Sequence, residues 1–375
     1  MRMARIGLSI DDAVQHITGV GQMMRMLVRG LVEVAPQHQY VLTYIDHGVQ
    51  PDFVRADNIE LCPIKLPRLL LHRGLWPLLH WPPIETFTGK LDLFHVLTTD
   101  NAIPSRCPSV VSIHDLFPEM YPQHYKATGR FFRRSLIRQM REAAGLLSVS
   151  QTVGREAAAY LGIPADRIIS SPLALPPEYE AIVPSDAALA RFDLENQRYF
   201  VFVGRAHYRK NTDTLLSAFA LYHHHYDDSH KLVLVGSQGA QAERIFQLLE
   251  AHNITNAVVR TGYLPDEEVK GLIGGALAFV YPSRHEGFGL PVLEAQHCAV
   301  PLIASTGGAL PEVAGDGALL VNPESADDLA EAMQQVATDV ALRERLIGKG
   351  TANLARFHWQ KQAEAAAAVY ESILR

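Results

Sequence analysis

The sequence predicts an α/β protein built from two doubly wound domains. Three observations carry this: a length of 375 residues, a hydrophobic content of 48% against 20% charged, and two successive series of short apolar, β-rich runs alternating with helical stretches. The length exceeds what one hydrophobic core ordinarily holds and suits two. The composition is that of a packed globular chain. Apolar strands separated by helices imply parallel sheets covered on both faces, and two series imply two such domains.

The first series opens with "ARIGLSI" (4–10) as a strand and "GQMMRMLVRGLVEVA" (21–35) as the helix after it. The strands "YVLTYID", "LDLFHVLT", "SVVSIHDL" and "GLLSVS" follow. Within the stretch 171–197, proline-containing and weakly periodic, residues 176–197 read as a linker, so the first domain covers 1–175. The second domain, 198–358, carries "YFVFVGR", "KLVLVGS", "AVVRTGY", "ALAFVYPS", "PLIAST" and "GALLVNP". The triplet "HHH" (223–225) reads as an exposed loop. The final helix, "WQKQAEAAAAVYESIL" (359–374), is rich in strong helix formers.

The cysteines, Cys62, Cys107 and Cys298, are odd in number and show no CxxC, which argues against a disulfide framework or a zinc site and suits a reducing cytosol. No signal peptide pattern opens the chain, and no apolar run reaches the roughly 20 residues of a membrane span. A soluble cytoplasmic protein, or one peripheral on the inner membrane, is expected. Charge is uneven: residues 1–175 carry 18 Lys and Arg against 15 Asp and Glu, whereas the whole chain carries 34 against 40. The two halves therefore face different partners.

In open α/β sheets ligands bind beyond the carboxyl ends of strands, and two such domains facing each other make a cleft. "SRHEGFGLPVLEA" (283–295) follows one strand at once. Pro291 suits the first turn of a helix, and Gly287 and Gly289 let backbone approach a ligand. The helix start offers free N–H groups to an anion. Glu286 at the edge and Glu294 one turn into the helix can accept hydroxyl hydrogen bonds, so the arrangement suits a sugar nucleotide. Each glutamate taken alone fits equally a solvated or helix-capping acid.

"EGFGLPVLE" resembles the E-x7-E motif of retaining glycosyltransferases of family 4, which have the two-Rossmann GT-B fold. "VGRAHYRKN" (203–211) resembles the family's diphosphate loop, and "ALPEVAGDGALLVNP" (309–323) the segment after its donor helix. "SIHDLFPEMYP" (112–122) resembles the acceptor loop of its mannosyl- and rhamnosyltransferase-like members, and "TGVGQMMRML" (18–27) its first Gly-rich loop. These marks occur in family order and span nearly the whole chain. The resemblance implies that Glu286 contacts the transferred sugar and Glu294 the ribose. Gly287, Phe288, Gly289 and Leu290 then belong to the donor site, and helix 359–375 packs back on the first domain.

Arg205 and Lys210, beyond Gly204, can neutralise a departing nucleoside diphosphate without a metal, and no cofactor is expected. Arg209 reads as a surface arginine. Gly19 and Gly21 could approach the diphosphate from the first domain, although G-x-G-x-x-Met is a poor dinucleotide fingerprint. His114, after "SVVSI", is placed by the resemblance near donor sugar and acceptor. Backbone near Tyr263 and Leu264 is placed against the nucleobase. Glu312, with Thr306, Gly307 and Gly308, follows the family pattern near the sugar and fits a local cap as well.

From 61 to 141 there are 11 Lys and Arg against 5 Asp and Glu, with aromatics interleaved in 66–85 (Arg68, Arg73) and 129–144 (Arg130, Arg133, Arg134, Arg138, Arg141). Such amphipathic basic segments suit an anionic membrane surface. Nucleic acid is not expected, since the acidic second half opposes a long polyanion. The function expected is transfer of a hexose, mannose or a deoxyhexose from a GDP-sugar, to a glycan or polyprenyl-diphosphate-linked acceptor in bacterial surface polysaccharide synthesis. A GT-B enzyme acting on a soluble sugar or sugar phosphate, and a non-catalytic scaffold subunit, are the other readings.

Overall fold

The structure is a computed structural model that describes residues 3–15, 19–67, 70–71, 75–97, 102–125, 127–179, 186–237 and 239–375. The chain divides into two compact units, one of Met1–Pro176 with His358–Arg375, the other of Pro177–Phe357.

The first unit holds a seven-stranded sheet of β1 (Arg5–Ser9), β2 (Gln39–Ile45), β3 (Ile59–Ile64), β4 (Leu93–Val96), β5 (Ser109–Ile113), β6 (Gly145–Ser148) and β7 (Ile168–Ser170), in the order β3-β2-β1-β4-β5-β6-β7. Every pairing is parallel. Its central strands are buried almost throughout, because helices cover both faces. Beside it, helix Gly19–Val34 buries Met23, Met24, Leu27, Val28 and Leu31 along one stripe.

The second unit holds a six-stranded parallel sheet of β8 (Tyr199–Val203), β9 (Lys231–Val235), β10 (Val258–Gly262), β11 (Ala278–Tyr281), β12 (Leu302–Ser305) and β13 (Leu319–Val321), in the order β10-β9-β8-β11-β12-β13. In each sheet the winding reverses beside the first strand, between β1 and β4 and between β8 and β11. Such a reversal opens a crevice at the carboxyl ends of the two strands that flank it.

The two doubly wound α/β sheets expected from the sequence are thus present. Two strands were not expected, β3 and β7, and both are sheet edges. β3 alternates half-buried and exposed residues and β7 has three residues, so neither makes an apolar run. His223–His225 do not form a loop but the last turn of helix Thr212–His225, beyond its buried stripe of Leu215, Leu216, Phe219 and Tyr222, with His224 and His225 exposed as expected. Residues 186–197 belong to the second unit, where Ala188, Leu189 and Leu194 are buried.

The last helix, Trp359–Leu374, packs along helix Gly19–Val34 of the first unit. Gly30 permits the crossing, since a Cβ there would lie 2.5 Å from the Ala363 Cβ. Tyr370 reaches the sheet through a 2.6 Å hydrogen bond to Nδ1 of the buried His95, whose Nε2 is 2.9 Å from the Ser112 hydroxyl. Among the described residues no helix is long and apolar enough to cross a membrane, and the three cysteines are free.

Candidate active site in the second unit

The site grows from the ends of β8 and β11, on either side of the reversal. After β8 the chain runs through Gly204 and Arg205 into a single turn, Tyr208–Lys210, and then helix Thr212–His225. The exit of β9 holds this loop: the Gly204 and Ala206 amides donate to the Val235 and Ser237 carbonyls at 2.9 Å each. The turn directs Lys210 inward. Its ammonium donates to Glu286 Oε1 at 2.7 Å and to the Tyr281 hydroxyl, which itself donates to Glu286 Oε1 at 3.1 Å. Arg209 is not a surface arginine: its Nη2 lies 3.9 Å from Glu286 Oε2 in a half-buried position.

Glu286 is 5% exposed. Burial alone would raise its pKa, but Lys210 and then Arg209 overcome that and hold it at about 2. Burial would also deprotonate Lys210, yet Glu286 beside it raises the ammonium's pKa. Burial and the Glu286 charge push the Tyr281 phenol to about 12 against the pull of Lys210, so it is a neutral donor at pH 7. The site therefore holds a charged pair bridged by one hydroxyl.

Three connections lock the two loops together. Asn211, 1% exposed with φ of 60°, donates from Nδ2 to the Pro282 carbonyl at 3.0 Å and the Pro323 carbonyl at 2.6 Å. The Arg284 amide donates to the Arg209 carbonyl at 2.8 Å, and its guanidinium to the Tyr208 carbonyl at 3.0 Å. Gly307 and Gly308, beyond β12, lie on the backbone of 283–286. A Cβ on Gly307 would come within 2.4 Å of the Arg284 carbonyl oxygen, and one on Gly308, whose φ is 62°, within 2.3 Å of the Glu286 oxygen. Only glycine fits at either place. Gly308 pairs with Glu286 as an isolated parallel bridge, and the Ala309 amide donates to the Glu286 carbonyl at 2.8 Å.

Gly287, Phe288 and Gly289 lead into helix Leu290–His297, with Pro291 in its first turn and Gly289 at φ of 100° as its cap. Phe288 is buried, its ring edge-on to Phe357 at 5.7 Å, which leaves its backbone rather than its ring for a ligand. Leu290 is half-buried. Glu294 is half-buried beyond the hydrogen-bonded trio. Burial, then Asp266, raises its pKa to about 7, against Lys270 and Lys210. Tyr263 is 85% exposed after Gly262 at φ of 73°, while Leu264 is buried. Arg205 is exposed, with its guanidinium along Gly239, and makes no hydrogen bond or ion pair among the described residues. Glu312 is half-buried in the first turn of helix Leu310–Ala314.

The remaining expected residues lie in the first unit. His114 follows β5 and donates from Nε2 to the Leu97 carbonyl at 3.0 Å. Burial lowers its pKa, so the ring is neutral and Nδ1 keeps its lone pair. Gly19 and Gly21 open helix Gly19–Val34, the first exposed and the second buried. Thr18, quoted with them, lies outside the described residues, as do Arg68 and Arg73. Arg133 does not join a solvated basic face. It makes a two-pronged pair with Glu119 at 2.6 and 2.8 Å, and both side chains are largely buried.

The sequence reading missed Tyr281, Asn211 and the pairing of Lys210 with Glu286. Tyr281 ends an apolar strand and carries that strand's single hydroxyl, which is the signal that was available. Asn211 shows itself only as a short polar residue just before a helix.

Glu294 yields a prediction. Its folded pKa of about 7 lies above the ordinary 4.5, so the folded state holds the proton more tightly. Its contribution to stability is full below pH 4.5 and is lost as pH rises through 7. Glu294→Gln should therefore melt above wild type at pH 8, by an amount worth about 2 kcal/mol after allowance for partial exposure, with the difference vanishing near pH 4.5. Thermal melts across that range measure it.

Comparison with known proteins places the architecture in context. Residues 17–175 match the family described as Glycosyltransferase Family 4, and residues 188–352 the family described as Glycosyl transferases group 1. The O-antigen chain mannosyltransferase B of Escherichia coli is 33% identical over 255 residues, 67% of either protein. The serotype-specific mannosyltransferase WbdA of Escherichia coli is 28% identical over 302 residues, which are 78% of this chain but 36% of that protein. The present chain thus spans two thirds of the first relative and about a third of the second. Among solved structures, sucrose-phosphate synthase of Thermosynechococcus elongatus superposes with a TM-score of 0.77 at 21% identity over 99% of both chains. Anabaena HepE with UDP and glucose superposes at 0.74 and 15% identity, over 98% of this chain and all of that one. At those identities the likeness is one of fold.

Proposed function

Because this chain belongs to the group 1, family 4 glycosyltransferases, we propose that it transfers mannose or a deoxyhexose from a GDP-sugar to a hydroxyl of a growing bacterial surface polysaccharide, with retention at the anomeric carbon. The mannosyltransferase names of its relatives support the sugar. The observation that carries the reading is the Lys210–Tyr281–Glu286 trio at the reversal between β8 and β11, with Glu286 three residues before the cap of a helix.

In this reading the bond from the anomeric carbon to the diphosphate oxygen breaks as that carbon bonds to the acceptor oxygen on the same face. The acceptor's proton passes to the departing phosphate. Lys210 and Arg205 take up the charge that develops on the diphosphate, a role that a divalent metal fills in other enzymes. Glu286 orients the sugar, Glu294 takes the ribose, and backbone at Tyr263 and Leu264 holds the base. His114 serves the acceptor side. Its neutral ring can accept a hydroxyl hydrogen bond at Nδ1.

A thermal-shift panel of GDP, UDP, ADP and dTDP tests the donor. GDP at 100 times its Kd should raise stability by about 2.7 kcal/mol. A larger shift with UDP overturns the base, and no shift with any of them overturns the reading.

We further propose that the acceptor is lipid-linked and that the first unit docks on an anionic bilayer. Helix Trp76–Leu79 packs against helix Ala127–Glu142; Leu78 and Leu79 on the first and Trp81 just after it are exposed, as are Phe131, Arg130, Arg134 and Arg141 on the second. Exposed apolar side chains and exposed arginines on two packed helices suit a headgroup interface. The protein should float with phosphatidylglycerol vesicles and not with phosphatidylcholine vesicles, and Arg130→Glu/Arg134→Glu should lose that preference. Equal flotation on both lipids removes the proposal.

A further inference from the structure

In the structure Lys210 is bound to Glu286, whereas the function proposed above gives Lys210 to the diphosphate and Glu286 to the sugar. That reading, on which this inference rests, therefore requires the ammonium to exchange one anion for another when donor arrives. Glu286 would then lose its main counter-ion. Arg209, at 3.9 Å from Oε2, is beyond hydrogen-bonding distance. Tyr281 is the neutral member of the trio. Its ring is fully buried in β11, stacked with Phe202 at 6.4 Å between centroids, so the hydroxyl has a fixed position. It donates to Glu286 Oε1 at 3.1 Å and accepts from Lys210.

We propose that Tyr281 is a positioning residue, whose hydroxyl holds the Glu286 carboxylate in place for the sugar while Lys210 moves to the diphosphate. A carboxylate relieved of its lysine would otherwise be left to the Ser283 hydroxyl, Arg209 or solvent. The phenol gives it a partner that does not compete for the phosphate, because it carries no positive charge.

Tyr281→Phe isolates the hydroxyl, since the ring and its packing remain. The measurements are the Kd for GDP, the melting temperature, and kcat and KM with GDP-mannose and an octyl α-mannoside acceptor. The expected result is a kcat about 10- to 100-fold below wild type, with GDP affinity and melting temperature close to wild type. A purely structural role would lower the melting temperature, and a role through Lys210 would weaken GDP binding in step with kcat; either result overturns the inference, as does an unchanged kcat. If wild type itself binds no GDP, UDP, ADP or dTDP, the functional reading fails and takes this inference with it. If wild type binds and turns over while Tyr281→Phe matches it, this inference alone fails.

Discussion

Lys210→Ala should abolish nucleoside diphosphate binding, if the proposed reading holds, and destabilise the second unit at the same time. Removing one member of a buried ion pair leaves the other charge without compensation, which costs about 3 kcal/mol. Glu286 is the member left behind, 5% exposed, with Arg209 too distant to replace the lysine. For a unit of this size that is a fall of roughly 6–12 °C in melting temperature. The pH dependence has a definite sign. The carboxylate's share of the stability is full above pH 4.5 and is lost as pH falls through about 2. The ammonium's share is full below pH 10.5 and is lost as pH rises through its raised folded value. The difference in melting temperature between wild type and variant should therefore be flat from neutral pH upward to the lysine's limit and shrink toward acid, all the more because burial without Lys210 raises the Glu286 pKa in the variant. A difference that grows toward acid would show that the pair is not what stabilises the unit. Calorimetry with and without GDP separates the two losses, since the binding loss persists at temperatures where the variant is fully folded.

Glu286→Gln should leave a folded protein that binds GDP and transfers sugar about 1000-fold more slowly. Gln keeps the shape and can still accept at its oxygen, so Lys210 and Tyr281 retain a partner. In the proposed reading the variant lacks the negative charge that Glu286 brings to the sugar and the second acceptor oxygen for a sugar hydroxyl. It also frees Lys210 from its ion pair, so GDP should bind at least as tightly as to wild type. Slow transfer with undiminished GDP affinity would mark a residue that acts on the sugar. Equal losses in both would assign Glu286 to the diphosphate instead.

How far the sequence alone reached can be traced residue by residue. The ends of β8, β11 and β12 were legible because each strand is an apolar run closed by glycine, proline or serine. β3 and β7 were not, because an edge strand needs neither a continuous apolar run nor much length. Glu286 and Lys210 were legible as kinds of residue, an acid before a glycine turn and a cation after a strand. Their mutual bond was not, since 76 positions separate them and no local pattern reports a contact across a crossover. The Gly307–Gly308 pair read as a strand end that follows, with Glu312, the family pattern near the sugar. Its purpose, allowing two strand-end loops to lie backbone on backbone, exists only in three dimensions. Arg133 was misread for a related reason: a cation on a helix looks solvated until the acid that meets it, Glu119, is brought up by the fold.

The closing helix has a consequence for how this chain is made. The sheet of the first unit emerges from the ribosome before the second unit, but the helix that covers Gly30 and seats Tyr370 against His95 is translated only after the whole of that second unit. Until then the groove along helix Gly19–Val34 stays bare, and its apolar stripe is open to wrong partners. The first unit therefore waits on a segment that follows the whole of the second, so a premature stop within the second unit would leave the first unit without its covering helix as well.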